Sequence, residues 1–305
     1  MPTGVYHRRL TALLEDFTRT ASALPDGATR VHFSKHRTVQ EGHMSFMDSI
    51  TDKPPLLAPR IVCHGKGGVG KTTWGASAPD AILIPVEEGL GNLAVAHFPR
   101  PASFGDVMEM LQELALKDHT RKTLVIDTVD ALEPLIWNHV CESRSDSKKQ
   151  YASIEDFPYG RGFTFADEAW LRLFRGLDHL RSTGMTVIVL AHSESKFIED
   201  PLTGPVERLQ PKLHKRANSL LYEWADVVAF MDLNRVLVEK EGAKGRTTTV
   251  AQVLGERRLY LEDRGGFVAK NRYSLPVWLE VSKANPYASL RDAILTAFGA
   301  GENKK

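Results

Sequence analysis

The residues HGKGGVGKTTW, 64–74, decide how the rest of the chain is read. Gly65 through Thr72 match GxxxxGK[ST] in full, with the aliphatic run IVCH at 61–64 entering the turn and a helical stretch leaving it. A glycine-rich turn between strand and helix lets backbone N–H groups curl around phosphates, and the helix N-terminus adds a favourable dipole. Gly65, Lys66, Gly67, Gly68, Val69, Gly70, Lys71, Thr72 and Thr73 are therefore a candidate triphosphate cradle. Lys71 is placed to neutralise the β/γ oxygens and Thr72 to offer its hydroxyl to Mg²⁺, which makes ATP and Mg²⁺ the expected ligands.

Outward from this turn, short apolar runs alternate with helical patterns. IVCH (61–64), AILIPV (81–86), LVID (124–127), TVIVLAH (186–192) and DVVAFM (226–231) have the continuous aliphatic character of strands buried on both faces. Helical spacing fills roughly 104–117, 130–143, 165–182 and 212–224 between them. The alternation predicts an α/β fold: a mostly parallel central sheet flanked by helices. After 231 the chain is charged and broken by glycines, and VLVEK, TTTVAQVL, RRLYLED and FVAKNR read as C-terminal antiparallel strands.

The first 57 residues differ: one amphipathic helix through Leu10, Leu13, Leu14 and Phe17, then polar sequence ending in the proline linker TDKPPLLAPR. His32, His36 and His43 lack a regular ligand spacing and read as solvated. The expected organisation is an arm over 1–57, the nucleotide domain over 58–280, and a C-terminal helix with a polar tail over 281–305.

Composition excludes some classes of function. The 305 residues carry a net charge of +1, so any nucleic-acid affinity must come from local patches. Cys63 and Cys141 are the only cysteines and form no CxxC, which fits a reducing compartment. No apolar stretch reaches membrane length, so the expectation is a cytoplasmic protein with no membrane partner.

Three strand ends carry the candidate chemistry. Asp127 closes LVID, where a carboxylate partners the Thr72 hydroxyl at Mg²⁺. Thr128 follows it rather than a glutamate, so the residue that orients the attacking water must come from elsewhere. Glu87, with Glu88 as the alternative, ends the strand after the P-loop helix, at the sheet edge where ligands of open α/β folds sit. His192 ends TVIVLAH and is a candidate sensor of the γ-phosphate.

Taken in order, GKGGVGKTT, ILIPVEEGLGNL, TLVIDTVDALE, MTVIVLAHSE, EWADVVAF and FVAKNRYSLP resemble the RecA-core ATP-binding proteins of bacteriophages, a group associated with recombination and single-strand annealing. The resemblance spans about 58–278. It implies a RecA-like P-loop fold, an ATPase acting on single-stranded DNA beside a single-strand-binding protein, and a homo-oligomeric ring or filament. It implies roles too: Glu87 as catalytic glutamate, His192 as γ-phosphate coupling residue, and Lys270 and Arg272 as a basic pair inserted into a neighbour's site. A phage-encoded chain would work in the cytoplasm of a bacterial host.

Two segments are candidate DNA loops. The proline-broken stretch after His192 gathers Arg208, Lys212, Lys215 and Arg216, and the glycine loop at 159–163 supplies Tyr159 for stacking and Arg161 for a phosphate. One rival is the partitioning class of dimeric ATPases, whose KGGVGKT signature Lys66 satisfies but whose longer P-loop helix and aspartate strand end are missing here. Another is a nucleotide-gated DNA-binding module with negligible hydrolysis.

Overall fold

The computed structural model describes residues 50–52, 57–147, 149–200, 204–241 and 247–298, without the side chains of 200, 235–241 and 247–254. The expected helix through Leu10, Leu13, Leu14 and Phe17, the three N-terminal histidines and the tail ending at Lys304 and Lys305 lie outside the described residues. The chain divides into units Met1–Pro54 and Pro55–Lys305, and the sheet with its helices belongs to the second.

Strand β1 (Arg60–Gly65) leads through the glycine turn into α1 (Lys71–Ala76), followed by β2 (Ala81–Pro85), β3 (Ala96–His97) and α2 (Phe104–Leu116). Next come β4 (Thr123–Asp127), α3 (Val129–Arg144), α4 (Arg161–Ser182), β5 (Thr186–Asp200) and β6 (Gly204–Pro211). The chain continues through α5 (Lys215–Trp224), β7 (Val227–Glu241), β8 (Thr247–Tyr260), β9 (Lys270–Asn271), β10 (Trp278–Val281) and α6 (Ala288–Ala297). Across the sheet the order is β10-β8-β7-β1-β5-β4-β2-β3. The six strands from β7 to β3 are parallel to their neighbours, whereas β8, β9 and β10 pair antiparallel. This is the mostly parallel α/β sheet flanked by helices, with C-terminal antiparallel strands, that the alternating pattern predicts.

The parallel strands are buried because both faces are covered. Ile61, Cys63, Val125, Ile188, Leu190 and Ala229 pack with Trp74 of α1 and with Leu290 and Ile294 of α6. Their sequence neighbours Val62, Leu124, Ile126, Val187 and Val189, equally buried, point to the opposite face, as the two-residue period requires. Helices α2, α3 and α4 pack on one another, with α3 and α4 against β5.

Several boundaries differ from the sequence reading. TVIVLAH does not end in a loop: β5 runs on to Asp200 and pairs with β6 from Ser193↔Pro211 to Asp200↔Gly204. The prolines that read as breaks, Pro205 and Pro211, sit in the hairpin's returning strand, where missing N–H donors are tolerated at a sheet edge. VLVEK is the far end of β7, and TTTVAQVL merges with the start of RRLYLED into β8. Of FVAKNR only Lys270 and Asn271 pair as strand. The stretch that reads as a glycine loop at 159–163 is largely helix start: α4 begins at Arg161, and a Cβ on Gly162 would clash with the Ile154 carbonyl oxygen. Glycine is there because the helix start packs directly on backbone. No described helix is long and apolar enough to cross a membrane.

Candidate nucleotide site

Gly65 closes β1 in register with His192 of β5 and Met231 of β7, so the P-loop leaves the sheet where these strands reach the same edge. Lys71 opens α1 at 5% exposure, and its Nζ donates to the carbonyls of Gly65 at 2.9 Å and Lys66 at 3.1 Å. Burial pushes the ammonium pKa down, against the opposing charges of Asp127, Asp130 and Glu87. An ammonium so held, inside a ring of backbone, is offered to an anion.

Thr72 Oγ1 donates to Asp127 Oδ2 at 2.7 Å. Asp127 is buried at the end of β4, and its Oδ1 has no hydrogen-bond partner among the described residues. Burial raises its carboxyl pKa, while the Thr72 hydroxyl and the Lys71 charge oppose the shift. A buried carboxylate with one free oxygen beside a hydroxyl is a hard oxygen-donor pair, which fits Mg²⁺. Thr72 and Asp127 would hold the ion.

Glu87 and His192 stand on the same edge. Asp130, in the first turn of α3, accepts both the His192 backbone N–H at 2.8 Å and its ring Nδ1 at 3.0 Å. A carboxylate only accepts, so Nδ1 carries the proton and the ring is fixed in direction. Nε2 is then turned toward the P-loop: a Cβ on Gly67 would lie 3.9 Å from it. Glu87 Oε2 is 3.9 Å from His192 Nδ1, and the donor atoms of Glu87, Asp130 and His192 lie within 4.8 Å of one another. Glu88 faces elsewhere, exposed and paired with Arg100 at 3.2 Å.

A family model described as AAA domain covers residues 57–273. The chain belongs to this AAA-domain family. The AAA domain thus contains the P-loop, Glu87, Asp127, Asp130 and His192 and extends past Lys270 and Arg272. Among solved structures it is similar to a KaiC-like protein from the hyperthermophilic archaeon Pyrococcus horikoshii OT3, at 14% identity and a TM-score of 0.32 over 67% of this chain and 78% of that one. No curated protein matches.

Two residues of the AAA-domain site escape the sequence reading. Asp130 follows Asp127 by three residues, a spacing that carries no motif and gains meaning only when β5 brings His192 beside it. Arg257, from β8, donates Nε to the Val69 carbonyl at 2.6 Å. Its guanidinium lies against Gly70, which at φ 99° caps α1 in the left-handed region.

The remaining candidates lie apart. Lys270 and Arg272 are at the opposite end of the sheet, where Lys270 pairs with Val228 and the Arg272 N–H donates to the Asp226 carbonyl. Lys270 Nζ reaches the carbonyls of Tyr222 at 2.5 Å and Glu223 at 3.2 Å, and Arg272 Nη2 reaches Glu223 at 2.8 Å. Both side chains therefore cap the C-terminus of α5 within their own protomer, a favourable place for cations. Arg208 is paired with Asp263 and Arg216 with Asp167, so these two arginines are not free phosphate contacts. Lys212, Lys215, Tyr159 and Arg161 are exposed. The two candidate DNA segments touch where Phe163 of α4 stacks on His214 at 4.1 Å with rings 8° from parallel.

Proposed function

We propose that this AAA-domain protein is an Mg²⁺-dependent ATPase that acts on single-stranded DNA. The observation that carries the ATPase reading is the convergence of Lys71, Thr72–Asp127, Glu87 and the Asp130-oriented His192 at one sheet edge. Bound Mg²⁺ would supply charge neutralisation on the phosphates. Lys71 holds the β/γ oxygens, Glu87 orients and deprotonates the attacking water, and His192 presents Nε2 to the terminal phosphate. The reading is tested by ATP hydrolysis in the wild type and in Lys71→Ala, with and without single-stranded DNA. Unaltered turnover in Lys71→Ala would end the site assignment.

The DNA reading is supported by the Phe163–His214 stack, which joins the segment carrying exposed Tyr159 and Arg161 to the one carrying exposed Lys215. Aromatic rings and cations so grouped suit stacking on bases and contact with phosphates. Stimulation of hydrolysis by single-stranded DNA, weakened by salt, is the expected behaviour. The resemblance in sequence extends the proposal to phage recombination or strand annealing, alongside a single-strand-binding protein, in a ring or filament whose sites are completed by a neighbour's Lys270 and Arg272. The partitioning alternative keeps one observation, the exposure of Lys66 on the P-loop. Loss of ATP-driven dimerisation in Lys66→Ala would favour it.

A further inference from the structure

Glu87, Asp130 and His192 are brought to one point by three separate elements: the segment after β2, the first turn of α3, and β5. Their carboxylate oxygens and ring nitrogen lie within 4.8 Å of one another, and among the described residues no other trio of His, Cys, Asp or Glu converges so closely. His192 Nδ1 is 3.0 Å from Asp130 Oδ2 and 3.9 Å from Glu87 Oε2. Ligands held about 2.0–2.2 Å from a tetrahedral ion stand about 3.4 Å apart, so the trio brackets the spacing that such an ion needs. Glu87, with 33% of its side chain exposed, has room to turn inward and close the set.

The charge around the trio favours a cation. Glu87, Asp127 and Asp130 all act on Lys71, so three carboxylates stand against one ammonium. Asp127 adjoins the trio, since the charges of Glu87 and His192 act on its carboxyl, which is buried and keeps one oxygen without a hydrogen-bond partner among the described residues. Mg²⁺ takes oxygen ligands, whereas an imidazole nitrogen suits Zn²⁺ and its transition-metal neighbours. We infer that Glu87, Asp130 and His192 form a second cation site, separate from the Mg²⁺ pair Thr72–Asp127, that takes a divalent transition-metal ion. Filling it inhibits hydrolysis, because the ion occupies the Glu87 carboxylate that orients the attacking water. The inhibition rests on the ATPase reading; the binding does not.

Two of the ligands are already oriented. Asp130 Oδ1 accepts the His192 backbone N–H at 2.8 Å, so Oδ2 can exchange the ring N–H for an ion while the carboxylate stays in place. The neutral ring keeps its one proton, which leaves Nδ1 and is taken up at Nε2 as the metal binds. Nε2 is on the P-loop side, near Gly67, away from both carboxylate ligands. Three protein ligands leave a fourth position for water, and the partial exposure of Glu87 and His192 gives the ion a way in.

The test is titration calorimetry of the nucleotide-free full chain with Zn²⁺ in excess Mg²⁺, on the wild type, His192→Ala, Glu87→Gln and Asp127→Asn. The wild type should bind one more Zn²⁺ than His192→Ala, and Glu87→Gln should weaken that ion by about tenfold or more. Asp127→Asn should weaken it less than Glu87→Gln does. Zn²⁺ held by other histidines or cysteines is common to all four proteins and cancels in the comparison, and matched unfolding midpoints report intact folds. Equal Zn²⁺ binding in the wild type, His192→Ala and Glu87→Gln overturns the site. So does a loss in Asp127→Asn as large as that in Glu87→Gln, which would put the ion on the Mg²⁺ pair. In a separate assay, Zn²⁺ at the concentration that fills the site should slow Mg²⁺-dependent ATP hydrolysis by the wild type about fivefold or more. Binding without inhibition overturns the inhibitory role alone. A wild type that binds the extra Zn²⁺ and hydrolyses no ATP in its absence upholds the site and ends the ATPase reading.

Discussion

Thr72 and Asp127 meet at 2.7 Å across β5, joining the first turn of α1 to the end of β4. The contact brings together residues 55 positions apart, beside a buried carboxylate oxygen, Asp127 Oδ1, that lacks a hydrogen-bond partner among the described residues.

Asp127→Asn should therefore separate activity from stability. The amide keeps the size of the side chain but removes a charge that burial disfavours, so urea unfolding of the nucleotide-free protein should show no loss of stability. Mg²⁺-dependent hydrolysis should fall on the order of 100-fold. Equal turnover in the variant and the wild type would remove Asp127 from the ion site.

Asp130 acts through His192, as a positioning residue. Asp130→Ala frees both the ring and the backbone N–H that it holds, so kcat should fall about tenfold or more while ATP affinity stays near the wild type. His192→Ala should do the same, and the double variant should be no worse than the worse single one, because the two act as a unit. Additive losses in steady-state kinetics would show that Asp130 serves α3 rather than the histidine.

The parallel core and the P-loop were legible because their signals are local: continuous aliphatic runs, a fixed glycine spacing, a carboxylate closing a strand. Asp127 and Glu87 become candidates from strand ends alone. Asp130 and Arg257 could not, since each acquires its role from a partner brought by the fold, 62 residues away for His192 and 188 for Val69. The β5–β6 hairpin was hidden by its prolines, which mark a break in a central strand but are compatible with an edge. Arg208 and Arg216 looked like free cations because the acids that neutralise them, Asp263 and Asp167, are distant in sequence.

Lys270 and Arg272 carry two separable claims. As caps on the C-terminus of α5 they should each contribute up to about 1 kcal/mol, read as a small drop in unfolding midpoint in the alanine variants. As cations for a neighbour's site they should be needed for turnover and not for ATP binding. Mixing Arg272→Ala with Lys71→Ala protomers should restore part of the activity, because each site can then draw an intact pair from one partner and an intact P-loop from the other. No recovery over a range of mixing ratios would confine both residues to the cap.

The pH dependence of stability should contain two opposed contributions. His64 is fully buried between the Ser193 hydroxyl at 2.9 Å and the Val268 carbonyl at 2.7 Å, so Nε2 donates, Nδ1 accepts, and the ring is neutral. Burial pushes its pKa down to about 4 from 6.5. Below pH 6.5 the unfolded chain takes up a proton that the folded protein refuses until about pH 4, so this contribution is present above that window and lost as pH falls through it. Glu133, on α3 beneath the His214 backbone N–H, is pushed up by burial to about 7 from 4.5. Its contribution has the other sign: full below pH 4.5, and lost as pH rises toward 7, because the unfolded chain releases its proton first. Each shift corresponds to at most about 3 kcal/mol. In urea unfolding followed from pH 4 to 8, Glu133→Gln should gain stability relative to the wild type as pH rises, since the amide has no proton to lose. His64→Gln should gain relative to the wild type as pH falls. Curves for the two variants that run parallel to the wild type would show that neither buried group titrates differently in the folded and unfolded chains.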